Sequence, residues 1–514
     1  MIDLLIVCTY FLTVFLVAFS GRQKTEEANV ESYFLSNRNL RWYSVALSTI
    51  ATNVQGYQFL GMMGSAYLYG LAQANLEINA MQGILMAAFI FVPLYLKDRI
   101  VTITQFIQKQ LGKTVALCYS AANLLLFSTI TLGAALFWGA YAADLVFADY
   151  LSFISEVRIV RVSVILIGLG VFSATYTYLG GLGAVVKTDL IQFAILLGGG
   201  LAVLLISIHH LGGWEQLYVK TPDLMHLHLP ADHPQLPWIH IFGLFLLNIN
   251  YWCANQSVVQ RSLAAQNLRE AQIGLMFGGV MKYVMAVIIV VPGIALVGIL
   301  GENGLSEPDM AFPYLVKTYL PIGVKGIILC ALFASLMSTV DSTFNSLATL
   351  WSVDIYKGYI KKEATENEMV KAGKQTILVT LCTGILMGLV LMYLKFENPE
   401  AAFTHTLNSM RYYINCGIVV IICTSAFLLT PNKKVTLIAV LATVPLQFIV
   451  IALFPDINYF VRAMWVILIA LIVVILASLK GGFQQNIIQY NSKRTLAIGI
   501  GLAVSLVVLH VVFH

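Results

Sequence analysis

Ala51 to Gly61 reads A-T-N-V-Q-G-Y-Q-F-L-G, an island of Asn, Gln and Gly inside an apolar run of about residues 42 to 72. A run of that length can cross a bilayer, because a helix rises about 1.5 Å per residue and the hydrocarbon is about 30 Å thick. Polar and helix-weak residues halfway through it argue for local unwinding. Backbone opened at that depth is tolerated only when buried in protein or lining a cavity, and its freed carbonyls suit a small cation such as Na⁺. A second island, N-I-N-Y-W-C-A-N-Q from Asn248 to Gln256, interrupts another apolar run in the same way.

The rest of the chain agrees with a membrane solvent. Its 514 residues are 59% hydrophobic and only 11% charged, with a mean hydropathy of +0.83. So few charges cannot coat a folded mass of 56.6 kDa in water. Apolar runs of spanning length give an all-α polytopic membrane protein with about fourteen transmembrane helices. They lie near 2 to 20, 42 to 72, 76 to 96, 114 to 147, 159 to 178, 188 to 208, 237 to 257, 272 to 300, 323 to 353, 375 to 394, 400 to 429, 435 to 454, 459 to 479 and 495 to 513. The first run has no basic leader and no small-residue cleavage site, so it reads as a permanent span. The bilayer is therefore one partner. A net charge of +5 with no basic run excludes nucleic acid as another. The seven cysteines fall in apolar stretches without C-x-x-C pairing and read as small buried hydrophobes.

Basic residues orient the spans, since Lys and Arg accumulate in short cytoplasmic loops. With the N-terminus outside, inner loops hold twenty-one of the 30, Arg261 among them, and outer loops hold seven, including Arg161, Lys395 and Arg462. Both termini are expected on the extracellular or periplasmic side of a plasma (inner) membrane. The longest outer loop, about His209 to Trp238, carries five histidines. Its irregular, Pro-rich spacing lacks the helical geometry of a zinc motif and reads as a solvated loop.

A charge inside a span costs at least about 2.5 kcal/mol, which makes Glu77, Asp189, Lys282, Asp341 and Arg411 site candidates. The ninth span reads A-S-L-M-S-T-V-D-S-T-F-N-S from Ala334 to Ser346. Its Ser335, Ser338, Thr339, Ser342, Asn345 and Ser346 recur at three and four residues, laying oxygens along one helical face. Hard cations favour such ligands. The two interrupted spans lie five apart, the offset of an inverted-repeat (5+5) transporter core with discontinuous helices. The expected organisation is a peripheral first span and loop (1–30), a first five-helix repeat (31–208), an outer loop (209–236), a second repeat (237–430) and three peripheral spans (431–514).

Four stretches resemble the sodium/solute symporters, the group that contains the sodium/glucose cotransporters. They are Y-F-L-S-N-R-N-L-R-W (Tyr33 to Trp42), T-Y-L-G-G-L-G-A-V-V-K-T-D-L-I-Q (Thr177 to Gln192), N-Q-S-V-V-Q-R (Asn255 to Arg261) and S-L-M-S-T-V-D-S-T-F-N-S-L-A-T-L-W-S-V-D-I-Y (Ser335 to Tyr356). The resemblance covers about Tyr33 to Leu429 and implies sodium-coupled symport of a small-molecule solute by alternating access, not an enzyme. It implies a Na⁺ site at the carbonyls of Ala51, Val54 and Ser335 and the hydroxyls of Ser338 and Thr339. A second Na⁺ would fall on Asp189, Ser338, Asp341 and Ser342. Asp341 stands where a small hydroxyl residue is usual, and either holds that cation more firmly or pairs with Arg411. Solute contacts of the sugar-transporting branch fall on Gln58, Glu77, Asn248 and Lys282, with Tyr251 as an inner gate and Trp252 beside it. Chemically the set suits a neutral polyhydroxylated ligand: Glu accepts, Lys donates, Asn and Gln do both, and an aromatic face covers ring C–H groups. Tyr57, Ala80 and Thr404 depart from that branch's pattern, Thr404 standing where a Gln is usual, which leaves a different sugar, a polyol or another organic solute open.

Lys282 and Arg411 would receive a carboxylated solute such as a sialic acid or monocarboxylate. A proton-pumping respiratory subunit would need further lysines in broken helices, and a membrane transferase an interfacial His or a D-x-D motif. A transporter-like sensor would carry an appended signalling domain.

Overall fold

The computed structural model describes residues 2–20, 29–55, 58–301, 303–305, 307–397 and 403–514, with the backbone alone at 403–406. It is built from helices, and no strand is present among the described residues. Eleven helices there are long and apolar enough to cross a bilayer, fewer than the fourteen spans read from sequence. The difference lies in how helices join and break. The fifth and sixth expected spans run on within Arg158–Leu211 as two helices joined directly at Gly181, whose φ of 55° and ψ of −150° are not helical. The seventh expected span is divided between His240–Cys253 and Gln256–Leu263, each too short to cross alone.

These breaks are possible because neighbouring hydroxyls satisfy the backbone they open. At Gly181 the Tyr33 hydroxyl lies 3.1 and 3.0 Å from the carbonyls of Thr177 and Tyr178 and donates to that pair. A Cβ at Gly181 would stand 2.3 Å from the Tyr33 carbonyl, so only glycine fits. At the seventh span, Tyr95 donates to the Cys253 carbonyl at 2.7 Å and Tyr119 to the Ala254 carbonyl at 2.6 Å. Asn255 then caps the next helix by accepting from Ser257 N at 3.0 Å.

Val324–Thr349 carries the oxygen ladder and is the most deeply buried of the spanning helices. It packs most extensively against Arg158–Leu211, and also against Trp42–Asn53, Leu132–Leu151 and Glu366–Glu397. Its first turn is capped from another helix: Asp3 Oδ1 accepts from Gly323 N at 2.8 Å and Gly326 N at 2.7 Å. The first and last spans, Ile2–Ser20 and Lys493–Val512, are mostly exposed and sit at the edge of the bundle.

Two expectations about charge need correction. Arg161, Arg261, Lys395 and Arg462, assigned to loops, are buried. Arg161 meets Asp144 at 2.5 Å. The long outer loop is also more than a solvated connection. His228 Nε2 lies 3.1 Å from His510 Nδ1 on the last helix, and His510 Nε2 lies 3.1 Å from Asn79 Oδ1.

Candidate functional site

The helix Trp42–Asn53 ends because Val54 turns to extended backbone (φ −78°, ψ 107°), and helical structure resumes at Gln58. The expected interruption at Ala51 to Gly61 is thus present; Gly56 and Tyr57 lie outside the described residues. Three consecutive residues at the broken end are each held. Thr339 Oγ1 donates to the Thr52 carbonyl at 3.2 Å, Lys282 Nζ to Asn53 Oδ1 at 2.5 Å and Ser335 Oγ to the Val54 carbonyl at 2.7 Å. Ala51, Val54, Ser335, Ser338 and Thr339 are all buried. Carbonyl and hydroxyl oxygens of this kind, with neither sulfur nor imidazole among them, fit a hard monovalent cation.

Ser338 turns toward a neighbouring cluster. Its Oγ donates to Asp189 Oδ1, and Ser48 Oγ donates to Asp189 Oδ2, both at 2.5 Å. Between them lies a residue that the reading of the sequence placed in a loop. The Arg261 guanidinium is fully buried, 3.1 Å from Ser48 Oγ and 3.4 Å from Asp189 Oδ2, and donates to Ser342 Oγ and the Ser257 carbonyl. A fixed cation therefore already faces Asp189, Ser48 and Ser342. Asp341 borders this group, accepting from Ser342 Oγ at 3.4 Å and from Tyr176 Oη at 2.5 Å, and forms no ion pair with Arg411 among the described residues. At 100° per residue its side chain leaves the helix about opposite Thr339 and Thr343, which face the cavity that Arg411 also lines.

That cavity, of about 190 Å³, opens beside the break. Gln58, Glu77, Asn248, Tyr251, Trp252 and Lys282 all line it, so six predicted solute residues converge. The side chain of Thr404, the seventh, lies outside what is described. Gln58 Nε2 donates to Glu77 Oε1 at 2.7 Å, and Glu77 Oε2 pairs with Lys282. Asn248 Nδ2 donates to the Asn79 carbonyl at 2.9 Å, and the rings of Tyr251 and Trp252 meet edge to face at 5.2 Å. Sequence reasoning missed Asn53, Asn123, Asn408 and Asn415, which add amides to the wall. For the helix Phe403–Phe427 a signal existed: Asn408, Arg411 and Asn415 recur at helical spacing on one face.

A family model described as the Sodium:solute symporter family matches residues 33–441. The chain belongs to that family. It is a multi-pass membrane transporter of a small-molecule solute with sodium as coupling ion, and not an enzyme; the respiratory-subunit, transferase and sensor readings fall away. The symporter is 27% identical to a sodium/glucose cotransporter of Vibrio parahaemolyticus over 94% of this chain and 91% of that one. It is 29% identical to sodium/myo-inositol cotransporter 2 of Oryctolagus cuniculus over 75% of its own length, and spans 60% of that longer relative. Among solved structures, a Na⁺-coupled sialic acid symporter in a substrate-bound outward-open state superposes with a TM-score of 0.79 at 18% identity. The superposition covers 94% of this chain and 99% of that chain, and the symporter shares its transporter fold.

Proposed function

We propose that the symporter carries a neutral polyhydroxylated solute, a sugar or polyol, together with one Na⁺. The observation that carries this reading is the convergence of Gln58, Glu77, Asn248, Lys282, Tyr251 and Trp252 on one cavity at the broken helix. Solute hydroxyls exchange for the internal partners of that network, and the aromatic pair covers the ring face.

Na⁺ is held by the carbonyls of Ala51, Val54 and Ser335 and the hydroxyls of Ser338 and Thr339. The second position, formed by Asp189, Ser338 and Ser342, is served by the Arg261 guanidinium in place of a second ion, and Asp341 borders it by accepting from Ser342 Oγ. Na⁺ enters from outside, ties the second span to the ninth, and so favours the state that accepts solute. The two five-helix repeats, 31–208 and 237–430, then rock about the site, and Tyr251 moves to release the solute inward. Both termini lie outside the plasma (inner) membrane. One Na⁺ crossing the field contributes about 2.3 kcal/mol per 100 mV, enough to accumulate an uncharged solute.

A carboxylated solute is the second reading, favoured by Arg411 on the cavity wall. Uptake into proteoliposomes tests both, with hexoses, polyols and sugar acids compared with and without an inward Na⁺ gradient. The Ser338→Ala/Thr339→Ala double variant is expected to lose Na⁺-dependent uptake while still inserting and folding. Uptake indifferent to sodium, or a variant with unchanged sodium dependence, removes the site assignment.

A further inference from the structure

A second groove, of about 450 Å³, shares no lining residue with the solute cavity and lies between the helices Leu268–Leu300 and Lys493–Val512. Its walls are apolar: Ile273 and Phe277 from the first helix, Ile498 and Leu502 from the last. Each pair is spaced four residues apart, so each helix offers one continuous face. The groove faces outward, with Ile498 46% exposed and Val280, also on its wall, 36% exposed.

At one end of this groove the chemistry changes abruptly. Arg269 and Arg494 flank the mouth, both exposed, and neither is held in an ion pair among the described residues. Glu270, the acid adjacent in sequence, is turned away to accept from Trp42 N at 2.8 Å. The mouth also receives the N-terminus of a 20-residue helix, where Ser492 Oγ accepts from Thr495 N at 3.2 Å.

We infer that this groove is a binding site for one anionic diacyl phospholipid, its phosphate between Arg269 and Arg494 and one acyl chain along the Ile273, Phe277, Ile498 and Leu502 faces. Both ends of the site select for that chemistry. A free phosphate leaves the apolar trough unfilled, and a zwitterionic lipid brings its own ammonium toward the two guanidinium groups. Basic pockets between spanning helices are suited to anionic headgroups because charge attraction and chain burial act on one molecule. The lipid would clamp the last helix to the helix that carries Lys282, which ties a peripheral span to the transport core without entering the solute cavity.

The experiment uses the full chain in detergent micelles titrated with phosphatidylglycerol, phosphatidylethanolamine or inorganic phosphate, and counts retained lipid by native mass spectrometry. Wild type is expected to keep one phosphatidylglycerol in preference to phosphatidylethanolamine. Two basic side chains each contribute about a factor of five at a lipid surface, so Arg269→Gln/Arg494→Gln lowers apparent affinity roughly twenty-five-fold. Ile498→Trp, which blocks the trough and leaves both charges, lowers it as well, whereas Arg269→Lys/Arg494→Lys keeps most of it. Equal retention by wild type, R269Q/R494Q and I498W overturns the proposal. So does competition by inorganic phosphate alone at the concentration of the lipid.

Discussion

The ion pair of Glu77 and Lys282 can be separated experimentally into its structural and its solute-binding parts. Both side chains are almost wholly buried, 2% and 1% exposed, and each has one further partner: Gln58 for the acid at 2.7 Å, Asn53 for the base at 2.5 Å. Removing one charge from such a pair strands the other in low dielectric, at a cost of about 3–5 kcal/mol, while removing both with shape kept is often close to neutral. Glu77→Gln keeps the volume and the Gln58 contact, and Lys282→Met keeps most of the stem. Each single variant is therefore expected to lose about 3–5 kcal/mol of stability, and the double variant much less than either. Transport follows a different order. The solute loses two hydrogen bonds to charged groups in the double variant, each worth about 1.5–3 kcal/mol, so uptake efficiency falls by roughly two to four orders of magnitude although the fold is restored. Denaturant unfolding in nanodiscs reads the first quantity and radiolabelled uptake the second. A double variant that is stable and transports like wild type would refute the solute role. One as unstable as the singles would refute the account of the pair.

Two further outcomes follow from other parts of the structure. With Arg261 serving the position beside Asp189, initial uptake against Na⁺ concentration is expected to be hyperbolic, with a Hill coefficient near 1, in wild type; clear sigmoidicity there means a second ion and rejects the tethered-cation account. The outer-loop histidine chain predicts a pH dependence. Burial, with His514 close by, holds His228 below the usual imidazole value near 6.5. The released loop thus binds the proton more tightly than the docked one, so docking is fully favourable above about pH 6.5 and weakens as pH falls through the lower docked value. Thermal stability measured from pH 7.5 to 5 should decline in wild type and less steeply in His228→Gln, and identical slopes would exclude this chain as the cause.

Composition alone exposed the membrane solvent, and the Asn, Gln and Gly islands exposed both interruptions, because polar residues at mid-membrane depth have few other uses. The oxygen ladder was legible for the same reason: its spacing is local to one helix. What could not be read was anything set by partners far along the chain. Arg261 looks like an ordinary loop arginine until Ser48, Asp189 and Ser342 close around it from three other helices. The hydroxyls of Tyr33, Tyr95 and Tyr119 that quench the open backbone are equally hidden, since each acts on carbonyls more than a hundred residues away. Eleven continuous apolar helices among the described residues do not confirm fourteen spans, because apolar length says nothing of where two spans join at a single glycine or one divides into two short pieces.

The arrangement at residues 52–54 gives the coupling a physical location. Thr52 and Val54 present carbonyls to Thr339 and Ser335 on the ion side, while Asn53, between them, receives Lys282 from the solute side. Carbonyls held at both ends of so short a stretch restrict the φ/ψ values open to the residue between them, because each peptide is planar and only two dihedrals per residue are soft. On the proposed assignment, an ion held by the carbonyls of Ala51 and Val54 therefore restrains Asn53 between them, and with it the Lys282 ammonium. Coupling of this kind is reciprocal and typically amounts to about 1–3 kcal/mol, a factor of 5–150 in affinity. Whatever factor Na⁺ adds to solute binding must then reappear in the affinity for Na⁺ when solute is present, and a substitution at Asn53 that spares both sets of ligands should reduce the two by the same amount.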